Sequence, residues 1–454
     1  MLKKNEEIIG RISGYASGGE GVLRHEGFPV FVQGAIMDEE VRVRILKCLK
    51  NYAFGKICEI ITPSIERISP ICPVSKRCGG CSLMHMSYEE QLRFKKIKVA
   101  DTMRKIGSFS DLKICDTIPS PRVLNYRNKV SVPLTKTDDG IMWGFYAVHS
   151  HNVVACDKCF LHDEINNKII STVIKYMESQ DISPYCEDTH SGTVRHIYIR
   201  KAPSSGEIMV SLVSRKQALK NEELLVKMLL EVSKDIKSII INVNPHKTNV
   251  ILGEKNRVLF GNEYIRDILL DTKFKIHHNS FYQINSYTTS LLYEKALSLL
   301  GDLEGKTVLD LYCGIGTISL IMAKRAKCVY GIEYVPEAIK DACFNAEMNN
   351  IQNANFYAGD AAKEIINLQK KGIKPDYIVL DPPRKGCDTE VLQTAAALSP
   401  KKIVYISCDC ATLARDMKIF KELGYNATEV YPFDMFPQTA HVESVALLTR
   451  STSI

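Results

Sequence analysis

The sequence predicts a multidomain α/β protein, and three observations predict it. Residues 271–454 alternate continuous apolar strands with helical stretches, the pattern of a doubly wound parallel sheet. Residues 1–62 hold short alternating strands split by glycines, as in a small β-barrel. Between them, residues 63–270 open on a cluster of cysteines and continue in β-rich segments, which indicates a central α+β domain. At 454 residues the chain is long enough for several cores.

The barrel strands are expected near residues 9–12, 28–32 and 41–46. In the central block, residues 88–105 read as a helix, and residues 196–200 and 208–213 as strands. In the last block, strands are expected over 306–311, 329–333, 377–381 and 403–407, with a late strand over 442–448.

Composition is that of an ordinary globular chain, with 45% hydrophobic and 24% charged residues. The first residues are charged with no apolar run behind them, and no apolar stretch is long enough to span a bilayer. The expectation is a cytoplasmic protein with no membrane partner. Net charge is +7, a mild surplus that points only weakly to nucleic acid. Residues 90–129 concentrate it, with ten Lys or Arg against four Asp or Glu. A solvated helix face explains that run as well as a phosphate-binding surface does. Fifteen cysteines, an odd number, argue against a complete disulfide framework. Clustered cysteines point to metal or catalysis. Scattered ones (Cys48, Cys58, Cys115, Cys186, Cys328, Cys343) read as small buried apolar residues.

Residues 310–317, Asp-Leu-Tyr-Cys-Gly-Ile-Gly-Thr, follow a strand and open a helix. Glycines there let the backbone turn sharply and approach a ligand. Glu333 ends the next strand, where a carboxylate can accept hydrogen bonds from both ribose hydroxyls. Asp360 ends a third, within reach of an adenine amine. The loop lacks a full Gly-x-Gly-x-x-Gly and a Walker lysine. That disfavours a dinucleotide or triphosphate and favours S-adenosylmethionine, which has no phosphate to cradle. Alone, Glu333 or Asp360 reads as a helix-capping or surface acid; their order on successive strand ends points to a cofactor.

Asp381-Pro382-Pro383-Arg384-Lys385-Gly386 follows the next strand, where an α/β site builds its substrate pocket. Arg384 stands where amine-methylating loops carry an aromatic residue, so amine chemistry is not expected. The following strand delivers Cys408, with Cys410 as a second candidate thiol that spacing does not separate from it. A thiolate adding to carbon 6 of uracil makes carbon 5 electron-rich enough to take a methyl group, and a base must then remove the carbon 5 proton. Glu443 on the late strand is the candidate base and His441 its rival.

Phe281-Tyr282-Gln283-Ile284-Asn285, residues 310–316, 381–386 and 407–416, and His441-Val442-Glu443-Ser444 together resemble the RNA uracil-5-methyltransferase family. The resemblance runs over nearly the whole chain and keeps the family's order. It implies a Rossmann-like class I methyltransferase domain over residues 271–454. Residues matching Gln283, Tyr312, Glu333 and Asp381 then contact the cofactor or target base, Cys408 is the nucleophile and Glu443 the base. Cys410 departs from the family, which commonly has proline there.

Cys72, Cys78 and Cys81 want a fourth ligand, and both Cys156 and Cys159 offer one. Cys78-x-x-Cys81 with Cys156-x-x-Cys159 makes a zinc site; three local cysteines and one distant ligand suit a four-iron cluster. The segment from Cys72 through His85 to Leu92 is similar to the Fe–S module of the family's ribosomal-RNA branch. That implies a 4Fe-4S cluster on Cys72, Cys78, Cys81 and Cys159, leaving Cys156 extra. The first block resembles an OB-like TRAM barrel, which binds RNA. The basic stretch through Arg93, Lys95, Lys96 and Lys98 is expected to add phosphate contacts, and Tyr126-Arg127-Asn128-Lys129 resembles a segment facing RNA. The implied activity is methylation of 23S ribosomal RNA with no obligate protein partner. The alternatives are the same chemistry on a transfer-RNA loop, a cytosine target, or a non-catalytic Fe–S RNA-binding protein.

Overall fold

A computed structural model describes residues 2–148 and 150–450. Strands β1 (Glu7–Tyr15), β2 (Gly21–His25), β3 (Phe28–Gln33), β4 (Glu40–Cys48) and β5 (Ala53–Thr62) close into a barrel in the order β1-β2-β3-β5-β4. Alternation decides the facing: Ile12, Val30, Val32, Val41, Val43 and Ile45 are fully buried inside it. The bore is narrow. A Cβ on Gly55 would lie 2.2 Å from the Val43 side chain, so only glycine fits there.

Helix α1 (Tyr88–Lys105) forms where the sequence places it. Ser87 caps it by accepting from Glu90 N at 3.1 Å, Glu89 and Glu90 sit in its first turn, and Arg104 and Lys105 in its last, all favourable to the helix dipole. A two-residue strand, β6 (Lys113–Ile114), follows. The central sheet comes from β7 (Lys129–Thr137), β8 (Gly140–Tyr146), β9 (Val153–Ala155), β10 (Val194–Lys201), β11 (Ile208–Ser214), β12 (Ile236–Val243) and β13 (Lys255–Gly261). Its order is β13-β12-β11-β10-β7-β8-β9. Helices α2 (Glu164–Ser179) and α3 (Glu222–Val232) cover it with a core of its own. A hairpin, β14 (Tyr264–Leu269) and β15 (Thr272–His277), leads into the last domain.

That domain runs α4 (Ser286–Leu300), β16 (Thr307–Leu311), α5 (Thr317–Ala323), β17 (Cys328–Glu333), α6 (Pro336–Met348), β18 (Ala354–Ala358), α7 (Ala361–Lys370), β19 (Tyr377–Leu380), α8 (Thr389–Ala397), β20 (Lys402–Ser407), α9 (Cys410–Glu422), β21 (Tyr425–Phe433) and β22 (Glu443–Arg450). Its eight-stranded sheet has the order β18-β17-β16-β19-β20-β22-β21-β6. One core lies under α4 and α5, the other under α7, α8 and α9, so the sheet is covered on both faces. Strand order reverses between β16 and β19, and ligands of such sheets bind beyond the C-terminal strand ends at that reversal.

Packing crosses the boundaries the sequence suggests. Val99 and Met103 of α1 belong to the core under α7–α9, and β6 pairs with β21. The scattered cysteines are not buried as expected: Cys58, Cys186 and Cys343 are exposed, and Cys48, Cys115 and Cys328 half-buried. Cys48 packs against the edge of the barrel core and the others sit on strands, a helix or loops near the surface; Cys313, Cys387 and Cys410 fill the interior instead. Among the described residues, no helix is long and apolar enough to cross a membrane.

Candidate active site

The turn after β16 is built to lean on β17. Tyr312, Gly314 and Gly316 all have positive φ (69°, 56° and 81°). Tyr312 N and Cys313 N both donate to Ile332 O, at 2.9 and 3.0 Å. The Glu333 carboxylate accepts from Gly314 N at 3.2 Å and from Val335 N at 3.0 Å, which fixes it at the strand tip. A Cβ on Gly314 would meet nothing within 4 Å, so the turn faces open space. Asp310 is fully buried beneath it. Ser319 donates to one Asp310 oxygen, the other is buried without a partner, and burial lifts the carboxyl to about 8. An open cradle, a fixed carboxylate and an orphaned buried oxygen fit a cationic adenosyl ligand. Asp360 is exposed and caps α7, accepting from Lys363 N at 3.2 Å. Its charge, with those of Cys387 and Asp388, reaches Tyr312, whose phenol burial raises well above its ordinary value. Gln283 is half-buried beside this domain, where its carbonyl accepts from Asn128 Nδ2 at 2.8 Å.

Three neighbouring strand ends make the second half of the site. Leu380 of β19 aligns with Tyr405 of β20, and Ser407 of β20 opposes Ser444 of β22. That register sets Asp381, Cys408 and Glu443 together, the last only 4% exposed. Burial first, then the charges of Glu443 and Asp381, push the Cys408 thiol up to about 12, with Arg384 opposing. Burial and Asp381 raise Glu443 to about 8, again against Arg384. Asp381 is half-buried, and burial raises its carboxyl to about 7.

Cys410 points elsewhere. It opens α9, is 5% exposed, and its Sγ donates to Thr102 Oγ1 of α1 at 3.5 Å. His441 keeps much of its surface, yet loss of solvent around its ring and the nearby cations Arg384 and Lys98 push it down to about 4. The 407–416 stretch ends in Arg415-Asp416, a pair to which spacing assigns no role. In the fold Asp416 accepts from Cys387 N at 2.9 Å and Tyr405 Oη at 2.6 Å, while Arg415 donates to Lys385 O and Cys387 O at 3.1 and 3.0 Å. The pair staples the Asp381–Gly386 loop to α9. A charged pair seven and eight residues after the candidate nucleophile Cys408, on a helix facing that loop, was the available signal.

Residues 87–451 match the family described as tRNA (Uracil-5-)-methyltransferase, and residues 2–58 match the TRAM domain. The chain belongs to that family. An uncharacterized RNA methyltransferase of Clostridium tetani is 45% identical over 449 residues, 99% of this chain and 97% of the relative. Another, of Halalkalibacterium halodurans, is 42% identical over 98% of each. Among solved structures, the Pyrococcus abyssi tRNA (uracil-54, C5)-methyltransferase in complex with S-adenosyl-L-homocysteine superposes with a TM-score of 0.77 at 29% identity, covering 97% of this chain and 99% of that one. The protein is thus an S-adenosylmethionine-dependent RNA methyltransferase.

In this methyltransferase Cys72, Cys78, Cys81, Cys156 and Cys159 line a single cavity, with Arg127 at its wall. Gly79 N donates to Tyr146 O at 3.0 Å, tying the cysteine loop to β8. Burial raises the Cys81 and Cys156 thiols to about 12. Arg127 Nε is buried without a partner. Among the described residues, no three His, Cys, Asp or Glu side chains form a ready site for a metal ion.

Two segments expected to face RNA are partly interior. Lys95 is fully buried against Asp434, and Lys98 donates inward to Ala440 O at 2.8 Å. Arg93 and Lys96 stay half-exposed beside Glu90 and Asp116. Tyr126 is 1% exposed and Asn128 4% exposed, and Lys129 is pushed down to about 8 by burial and Arg200. Packing against the last domain recruits these long side chains, which composition reads as surface.

Proposed function

We propose that the protein methylates carbon 5 of a uridine in 23S ribosomal RNA. The observation that carries the chemistry is the meeting of Asp381, Cys408 and Glu443 on three adjacent strand ends beside the Tyr312–Glu333 turn. Cys408 Sγ bonds to carbon 6 of the uracil, and the C5=C6 electron pair moves into the enolate at O4. The thiol proton passes to the adjoining Asp381, which near pH 7 takes up and gives back protons readily. Bound S-adenosylmethionine would supply an electrophilic methyl group, its sulfur–methyl bond breaking to leave S-adenosylhomocysteine as the enolate carbon 5 forms its new bond. Ionised Glu443 then removes the carbon 5 proton, the electron pair re-forms C5=C6, and the Cys408 thiolate leaves. A buried, raised Glu443 is a stronger base than a solvated carboxylate. Glu333 and Tyr312 are read as holding the adenosyl ribose, Asp360 the adenine edge, and Gln283 the cofactor or base.

We read the cysteine cavity as the seat of a 4Fe-4S cluster on Cys72, Cys78, Cys81 and Cys159. Five thiols around one small cavity suit thiolate ligation, and the unpartnered Arg127 Nε suits an anionic group. Bound there, a cluster would tie the cysteine loop to the segment after β9 through Cys159; methyl transfer itself needs no redox step.

The ribosomal assignment rests on the TRAM barrel and the cysteine module occurring together. A transfer-RNA substrate is the second reading, favoured by the Pyrococcus abyssi structure. Methylation of unmodified ribosomal and transfer RNA, with products mapped by mass spectrometry, tests both. Methyluridine confined to ribosomal fragments and absent with Cys408→Ala supports the first; methylated transfer RNA alone keeps the chemistry and overturns the substrate.

A further inference from the structure

Glu443 begins β22, and the segment leading to it, residues 434–440, is held from far away in the sequence. Gln91 clamps Gln438 twice, 347 residues apart: its Nε2 donates to Gln438 Oε1 at 3.2 Å, and its Oε1 accepts from Gln438 N at 2.9 Å. Lys95 donates to Phe436 O at 3.1 Å and pairs with Asp434, both side chains 0% exposed. Lys98 Nζ donates to Ala440 O at 2.8 Å. Just before α1, Leu83 N donates to Gln438 O at 3.0 Å and Ser82 Oγ accepts from Ala440 N at 3.1 Å. Tyr126 Oη donates to Pro437 O at 3.0 Å.

Residues 91, 95 and 98 lie four and three apart, so they share one face of α1. A buried ion pair contributes little net stability compared with apolar packing, and its best-attested use is to fix register. Backbone carbonyls and amides of the segment are partners beside the Gln438 and Asp434 side chains, which sets its path and not merely its distance.

We infer that Gln91, Lys95 and Lys98 are positioning residues for the base. They hold the 434–440 segment so that the Glu443 carboxylate reaches the carbon 5 proton of the uridine bound to Cys408. This rests on Glu443 being the base, as proposed above.

The test separates the two halves of the reaction in the full-length protein. RNA carrying 5-fluorouridine is attacked by Cys408 and methylated, but fluorine cannot leave as a proton, so the covalent adduct persists. Adduct formation therefore needs the nucleophile and not the base. With Gln91→Leu, turnover on uridine RNA is expected to fall by about 10²-fold, as for an ångström of misplacement. KM for RNA and the rate of 5-fluorouridine adduct formation stay within about twofold, and the pH limb of kcat shifts from its wild-type position. Lys98→Met follows the same pattern more weakly, and Lys98→Arg restores turnover. Should Gln91→Leu fail to fold, the Lys98 pair carries the test. Adduct formation slowing in step with turnover, or variants that turn over like the wild type, overturns the inference. A wild type that forms no adduct with any RNA overturns the proposed function instead.

Discussion

The two halves of the site are made differently. The proposed cofactor cleft is assembled from successive βα turns: Tyr312 and Asp360 follow β16 and β18, Glu333 ends β17, and the contact from Gly314 N to Glu333 stays within one βα unit. The proposed methyl-accepting half joins β19 and β20 to the antiparallel β22, and the segment entering β22 is held by α1. A local site tolerates change one residue at a time; a site closed by distant contacts fails as a unit.

The largest expected effect falls on the distant half. Cys408→Ala abolishes methylation and adduct formation, whereas Cys410→Ser, whose thiol faces Thr102, keeps both; a radiolabelled-methyl assay with denaturing gels reads the pair. If Cys410→Ser is the inactive one, the nucleophile has been misassigned.

Next comes Glu443→Gln. Turnover should drop by about 10²–10⁴-fold, the usual contribution of a general base, while the Cys408 adduct accumulates on ordinary uridine RNA. Wild-type kcat should rise with pH through about 8 as Glu443 ionises. The stability effect has the opposite sense. A carboxyl raised above its unfolded value favours the fold fully below the unfolded pKa of about 4.5, and that contribution is lost as pH rises through 8. Glu443→Gln should therefore melt higher than wild type at pH 9 relative to the difference at pH 4, by scanning calorimetry. A flat difference between those pH values would mean that the carboxyl is not buried as described.

The local half should respond more mildly. Glu333→Gln keeps the shape but loses charge-assisted bonds to the ribose, so KM for S-adenosylmethionine rises by about tenfold or somewhat more with kcat little changed. Asp360 gives the smallest effect. Asn caps a helix as well as Asp, so Asp360→Asn should leave the melting temperature unchanged while weakening the cofactor slightly. Unchanged cofactor binding by calorimetric titration would leave Asp360 as the cap of α7 alone.

Legibility followed the same division. The 310–317 turn, Glu333, the Asp381–Gly386 loop and Cys408 were all visible because strand, turn and helix follow one another in the chain. The roles of Lys95 and Tyr126 were misread as RNA-facing because a charged or phenolic side chain in a basic stretch looks like surface until its partner is known. Asp434 and Pro437 lie more than 300 residues away from them. Spacing likewise left Cys408 and Cys410 unseparated, and only the family resemblance named Cys408, since two thiols where a strand passes into a helix do not reveal which neighbour each one meets.

By itself the sequence determined the barrel, the doubly wound sheet and the order of its strand-end motifs, because apolar periodicity and turn residues act over a few residues. Only the tertiary structure decided that Asp381, Cys408 and Glu443 lie beside one another, that Cys410 meets Thr102 of α1 instead, and that α1 holds the segment before Glu443. Those are facts of register and packing, in which burial gives each polar group a single partner, and the partner is chosen by the fold.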